Sequence, residues 1–314
     1  MTKELSRRNL LGRAGIALGG AVALGALACG SDESDPQPEP QPQEGPQVAD
    51  FPYERHLAAD FRLDVAALKE AAYHAYYAGG CCHGAYSALL GDLNRAGAPF
   101  TLLPLDFGKF GGGGIASYGS ICGAVLGGVL VTNMIVQNPT TPPAGQTKPQ
   151  DVRANLLTEL MRWYETFEFP AYVPQQVDAK EHANGDPSAA LATTLPFGTD
   201  PAVGNPETLR LAPGSHLCHA SVSGWCAAQH VSAAGPDKLA RCARLTADVA
   251  GKTAELLNAY LDGDRLSFAG TAPNGSTGCT PCHPKDKASD PANSIGPSVN
   301  SGMSCTSCHT PHAI

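Results

Sequence analysis

The chain has 314 residues, of which 43% are hydrophobic, 16% charged and 6% aromatic, too apolar an average for a disordered polymer and enough for one or two folded domains. Its formal net charge of −8, from 29 acidic against 21 basic residues with no Lys/Arg cluster beyond position 13, excludes a basic footprint for nucleic acid. Eleven cysteines and ten histidines are the unusual count, because so many thiols call for disulfides, metal or cofactor chemistry.

At the N-terminus, Ser6-Arg7-Arg8-Asn9-Leu10-Leu11 precedes a weakly apolar Gly/Ala/Leu run from Gly15 to Ala28 that is too short to span a bilayer. Residues 1–28 have the pattern of a twin-arginine export signal, which directs the chain to the periplasm. Ala26-Leu27-Ala28-Cys29-Gly30 resembles the lipobox of bacterial lipoproteins, and Cys29 is the lipidation and membrane-attachment site this implies. Residues 29–50, rich in Pro, Gln and Glu, read as a disordered, semi-extended tether.

From about 51 to 265 the periodicity is helical, and the fold class expected is an all-α bundle. Val65, Leu68, Ala72 and Tyr76 behind Asp64 predict a capped amphipathic helix over 64–77. The uncharged stretch Gly111 to Gln137 holds eight glycines with Ser, Tyr, Cys and Asn interspersed, so it reads as a loop at Gly111–Gly114 and a buried central helix from about Ile115 to Met134, and not as a membrane span. Gly119, Gly123 and Gly127 recur every four residues, a smooth face for a neighbouring helix or cofactor, with Cys122 beside it. Leu156, Leu160, Tyr164 and Phe167 mark a helix over Val152 to Phe167. A third amphipathic helix, Pro236 to Leu261, has Pro in its first turn and carries Leu239, Cys242, Leu245, Val249, Thr253, Leu256 and Tyr260 along one face, which points Cys242 into the core.

Residues 266–314 differ in kind. Ser, Pro, Gly, Asn and Thr dominate, large aliphatics are almost absent, and no core can form unaided. Within this irregular segment stand Cys279-Thr280-Pro281-Cys282-His283 and Cys305-Thr306-Ser307-Cys308-His309. Both have the c-type haem attachment pattern: two thiols about one turn apart add to the haem vinyl groups, and the adjacent imidazole becomes the proximal iron ligand. Zinc or disulfides would leave the histidine after each pair unexplained. Two covalent haems are therefore expected, with Cys279, Cys282, Cys305 and Cys308 as attachment residues and His283 and His309 on iron. His56, His74, His83, His182, His216, His219, His230 and His312 remain as candidate distal ligands. His312 lies three residues from His309, a reach of about 10 Å, and so suits the other haem or a partner subunit.

The ordered set Gly79-Gly80-Cys81-Cys82-His83-Gly84-Ala85, Cys122-Gly123-Ala124-Val125-Leu126-Gly127, Cys218-His219-Ala220-Ser221-Val222 and Arg241-Cys242-Ala243-Arg244-Leu245 resembles the redox proteins named for a C…CGAxxG…C…C pattern. With the two C-x-x-C-H motifs added, residues 51–314 resemble the split-Soret cytochrome c family. The resemblance implies a homodimer with two bis-histidine haems per subunit, clustered at one end, with axial ligation that can cross the interface. It also implies an iron–sulfur centre within the helical bundle. Carried over by motif, the cluster ligands are Cys81, Cys122, Cys218 and Cys242. Cys82 adjoins Cys81 and is an alternative, and Cys226 is a further candidate on the segment of Cys218.

The sequence thus reads as an exported dihaem c-type cytochrome that transfers electrons between periplasmic redox partners. A redox enzyme reducing a small molecule at an open haem or cluster position is the second reading, and a disulfide-stapled structural lipoprotein the third. No Ser/His/Asp order, nucleotide loop or paired-carboxylate motif supports another catalytic class.

Overall fold

Asp64 opens the first helix, its carboxylate accepting hydrogen bonds from the backbone N–H groups of Ala66 (3.1 Å) and Ala67 (3.0 Å), a cap that satisfies donors the helix itself cannot. The computed structural model describes residues 51–142, 144–182, 209–263, 279, 281–299, 303, 305 and 309. All of these lie in one unit, residues 48–314; the first 47 residues form a separate unit outside the described ones. The export signal, the tether and Cys29 therefore fall outside the described residues, as do Cys308 and His312.

Helix α1 (Val65–Leu93) runs well past the predicted end at 77. It does so through a break at Gly80, whose φ of 83° and ψ of −176° only glycine adopts readily. The break re-aims the second half of the helix, so that Cys81, Cys82 and His83 all become buried.

Helix α2 (Gly123–Ile135) begins eight residues later than expected. Gly113, Gly114, Ile115, Ala116 and Ser117 all have positive φ, between 50° and 74°, a left-handed turn where a right-handed helix was predicted. Gly119 belongs to this connection and not to the helix face. The close approach expected of the other two glycines is present. A Cβ on Gly127 would lie 2.7 Å from the Cys82 carbonyl oxygen, and one on Gly123 would lie 2.9 Å from the Cys82 nitrogen. On the opposite side a Cβ on Gly128 would meet Thr253 Oγ1 at 2.4 Å, so α2 is wedged between α1 and the last helix of the bundle.

Helix α3 (Val152–Thr166) is capped by Asp151, which accepts from Ala154 N–H at 3.0 Å, and buries Leu156, Leu160 and Tyr164. A single turn, α4 (Ala179–His182), leads on to α5 (Cys218–Gln229) and α6 (Pro236–Leu261). The predicted apolar face of α6 is inward, but burial extends all round: every residue from Ala240 to Gly251 is buried, Arg241, Arg244 and Asp248 included. α6 is the central helix, and α1 is its most extensive neighbour. Among the described residues there are only isolated β-bridges, and the fold is all-α. No described helix is long and apolar enough to cross a membrane.

Asp248 ties the loop after α3 to this central helix, accepting from Ala171 N–H (2.8 Å) and Tyr172 N–H (3.2 Å). Burial pushes its carboxyl up to about 6. A folded-state value above the unfolded one means that the fold holds the proton more tightly. Stability from this group is full below about pH 4 and is lost as pH rises through about 6, by up to about 3 kcal/mol. Asp248→Asn keeps a carbonyl acceptor and should flatten that slope, measured as the difference in urea-unfolding free energy between pH 4 and pH 7.5.

Candidate metal centre and haem-attachment segment

Four helices each bring one thiol to the same buried region. Cys81 follows the break in α1, Cys122 caps the start of α2, Cys218 is the first residue of α5, and Cys242 lies on central α6. The starts of α2 and α5 are stapled by the antiparallel bridge Ile121–Leu217: Cys122 N–H donates to the His216 carbonyl (2.8 Å) and Cys218 N–H to the Ser120 carbonyl (2.6 Å). Two of the thiols thus sit at helix N-termini, where the unpaired N–H groups favour negative charge.

The Cys81 and Cys242 thiols are neighbours, and Cys122 and Cys218 lie close enough to sense the charge of Cys242. All four are at most 8% exposed. Burial pushes Cys218 up to about 12 and raises Cys122, which the Tyr164 hydroxyl pulls back by hydrogen bonding. Cys242 is held below the ordinary thiol range, first by the hydrogen bond from Cys81 and then by the neighbouring Arg241 charge. As the side chains stand, no group of three or more His, Cys, Asp or Glu among the described residues closes around a single metal ion. The chemistry of the donor set nevertheless suits iron with sulfur, since soft thiolates gathered in a dry interior are what such centres require. None of the nine described cysteines is in a disulfide.

The two alternative thiols are placed differently. Cys82 faces Gly111, where an added Cβ would lie 2.6 Å from its Sγ and 3.1 Å from Leu126; it senses Cys122 alone, and burial pushes it up to about 12. Cys226 is buried and has Cys242 as its thiol neighbour. Sequence reasoning missed four residues of the surroundings. Tyr76 is buried beside Cys242, Cys81 and Cys218. Arg241 donates from Nη1 to Cys242 Sγ at 3.9 Å and from Nη2 to Ser221 Oγ at 2.8 Å, and the hydroxyls of Tyr164 and Ser221 are hydrogen-bonded at 2.9 Å. Helical spacing carries no sign of this network, because it depends on α3, α5 and α6 meeting.

In the C-terminal segment one backbone hydrogen bond spans each motif: His283 N–H donates to the Cys279 carbonyl (2.9 Å) and His309 N–H to the Cys305 carbonyl (3.0 Å), which sets each histidine about one helical turn from the first cysteine of its motif. The Cys279 and Cys305 thiols lie near each other, so the first cysteines of the two motifs are neighbours. His283 Nδ1 donates to the Pro297 carbonyl at 3.1 Å, which fixes the tautomer whose lone pair is on Nε2, the nitrogen that would bind iron. A Cβ on Gly296 would come within 2.4 Å of the same ring. Gly296→Val should therefore swing His283 away and remove one of two low-spin haem signals, read by electron paramagnetic resonance of the oxidised protein.

The model of the family described as "Putative redox-active protein (C_GCAxxG_C_C)" matches residues 81–256, which include every thiol of the buried set. Fold and thiol set thus define a redox-active protein of that class. Over 316 residues the chain is 31% identical to the split-Soret cytochrome c of Desulfovibrio desulfuricans (strain ATCC 27774 / DSM 6949 / MB), covering 98% of this chain and 95% of that protein. It also matches a solved structure described as "A novel iron centre in the split-Soret cytochrome c from Desulfovibrio desulfuricans ATCC 27774", with TM-score 0.58 and 28% identity over 81% of this chain and 90% of the other. The chain belongs to the split-Soret cytochrome c family.

Proposed function

We propose that this chain is an exported dihaem c-type cytochrome that transfers electrons and carries an iron–sulfur centre on Cys81, Cys122, Cys218 and Cys242. The observation that carries the reading is the gathering of four buried thiols from four helices, two of them at helix N-termini and one beside a buried guanidinium. In this reading Cys279, Cys282, Cys305 and Cys308 attach two haems, His283 and His309 stand under the irons, and His312 serves as a distal ligand to the haem of the first motif or to a partner subunit. When bound, these groups supply one-electron redox chemistry. The chain's own residues attach and orient them, and the helical core around the thiols excludes water. The segment 1–28 delivers the protein to the periplasm, Cys29 anchors it to the membrane, and a homodimer brings the haems of two subunits together.

Optical and electron paramagnetic resonance spectra of the purified protein, oxidised and reduced, with and without carbon monoxide, test this. Two low-spin haems per chain that ignore carbon monoxide, together with non-haem iron, are expected. A ligand-responsive high-spin haem would overturn the carrier reading in favour of small-molecule reduction, and zinc without iron would overturn both.

A further inference from the structure

Arg241 is the feature that the roles assigned so far leave unused. It is 1% exposed, so its charge has lost its hydration and must be compensated by what surrounds it. Its neighbours compensate it only in part. Nη2 has Ser221, Nη1 has the distant sulfur of Cys242, and the guanidinium carbon lies 5.9 Å from the Trp225 ring centre. Nε is buried with no hydrogen-bond partner among the described residues. No carboxylate is paired with Arg241 in the ion pairs among those residues. A buried guanidinium beside thiols, with a donor still unused, needs an anionic acceptor at that place.

The proton order in the adjoining hydroxyls points the same way. Arginine can only donate, so Ser221 Oγ accepts from Nη2, and it also accepts from the Tyr164 hydroxyl. Tyr164 lies beside Cys122 as well, so a turn of the two hydroxyls would free its single proton for that sulfur and leave Ser221 to donate to Tyr164. A metal-bound sulfur carries no proton and can only accept. Loading of the thiols would therefore turn the two hydroxyls from their present order, so that the chain runs Arg241→Ser221→Tyr164→Cys122.

We propose that Arg241, acting directly on Cys242 and through Ser221 and Tyr164 on Cys122, is the positioning and charge-compensating residue that sets the reduction potential of the iron centre, its Nε–H donating to a sulfur of the bound group. This rests on the reading of the four thiols as iron ligands. Reduction adds an electron to a site already rich in thiolate charge, and a buried cation with hydrogen bonds to sulfur favours the reduced form. Removing either lowers the potential.

The test is redox titration of the intact protein, monitored by the spectrum of the non-haem centre, with iron counted per chain and the haem midpoints followed in the same samples. Arg241→Gln should shift the midpoint of the centre clearly negative. Tyr164→Phe, which removes the hydroxyl between Ser221 and Cys122 and leaves the guanidinium in place, should shift it less in the same direction. Arg241→Lys, which keeps the charge, should recover part of the loss, while the haem midpoints stay put in all three. Should Arg241→Gln fail to hold iron, Tyr164→Phe decides. Full iron content with an unchanged centre midpoint in Tyr164→Phe and Arg241→Gln overturns the proposal while leaving the iron reading intact. Absence of non-haem iron from the unsubstituted protein removes the iron reading, and this proposal with it.

Discussion

Cys242→Ser should strip the non-haem iron from the protein and leave both haem spectra unchanged. Cys242 is the thiol on which the others converge: it adjoins Cys81, its charge is felt at Cys122, Cys218 and Cys226, and Arg241 donates to it. A serine hydroxyl there is harder, far less acidic and a poor ligand for iron that three soft thiolates still address. Haem attachment depends on the separate C-terminal motifs, so non-haem iron per chain, measured by metal analysis with haem subtracted, should fall to near zero. Cys82→Ser and Cys226→Ser should retain it, because Cys82 turns to Gly111, and Cys226 has Cys242 as its thiol neighbour while Cys81, Cys122 and Cys218 supply the other three thiols of the set. Loss of iron from Cys82→Ser with retention in Cys81→Ser would transfer the ligand role from one neighbour to the other.

Glu181→Ala should cost about 3–5 kcal/mol of unfolding free energy, the range for removing one member of a buried ion pair. Glu181 is 5% exposed and Arg244 is 2% exposed, and Nη2 of Arg244 donates to Oε1 of Glu181 at 3.0 Å. The other carboxylate oxygen accepts from the Tyr73 hydroxyl and, at 3.1 Å, from the Tyr77 hydroxyl. Truncation to alanine takes this carboxylate from the guanidinium and leaves two phenols without their acceptor, all in the interior between α1, α4 and α6. Chemical denaturation followed by far-ultraviolet circular dichroism measures the loss. Arg244→Met with Glu181→Leu should recover much of it, because both charges of the pair are then removed together. A single-variant cost below 1 kcal/mol would show that the pair is solvated in solution.

Both predictions concern residues that the sequence pattern treats unequally. Asp64, Asp151 and Pro236 announce their helices because a cap is a local event, settled within three residues of its own position. The C-x-x-C-H turns were legible for the same reason, since thiol and imidazole spacing is the chemistry itself. Ile115-Ala116-Ser117 misled the reading because apolar L-residues normally continue a right-handed helix. Only the surrounding bonds, such as Ser117 N–H to the Gly112 carbonyl and Gly119 N–H to the Gly113 carbonyl, hold them left-handed. Arg241, Arg244 and Asp248 lie off the apolar face of α6 and would be assigned to solvent by periodicity. The structure buries them because α6 is surrounded, a property of the assembled bundle that no single helix encodes. The choice between Cys81 and Cys82 was likewise open, as adjacent residues of one helix differ only in direction, and direction here is set by the break at Gly80.

The pairing of α1 with α6 has a consequence for how the chain reaches its native state. The two helices that make the most extensive contact are the first and last of the bundle, and Cys81 meets Cys242 across nearly the whole length between them. Contacts so distant in sequence are slow to form, because loop-closure entropy must be overcome before any burial rewards it. A nascent chain released only as far as α5 would lack its central helix and expose the apolar sides of α1, α2 and α3 to aggregation and proteolysis. The thiol set is therefore completed late, once α6 has left the ribosome and shortly before the C-x-x-C-H motifs emerge.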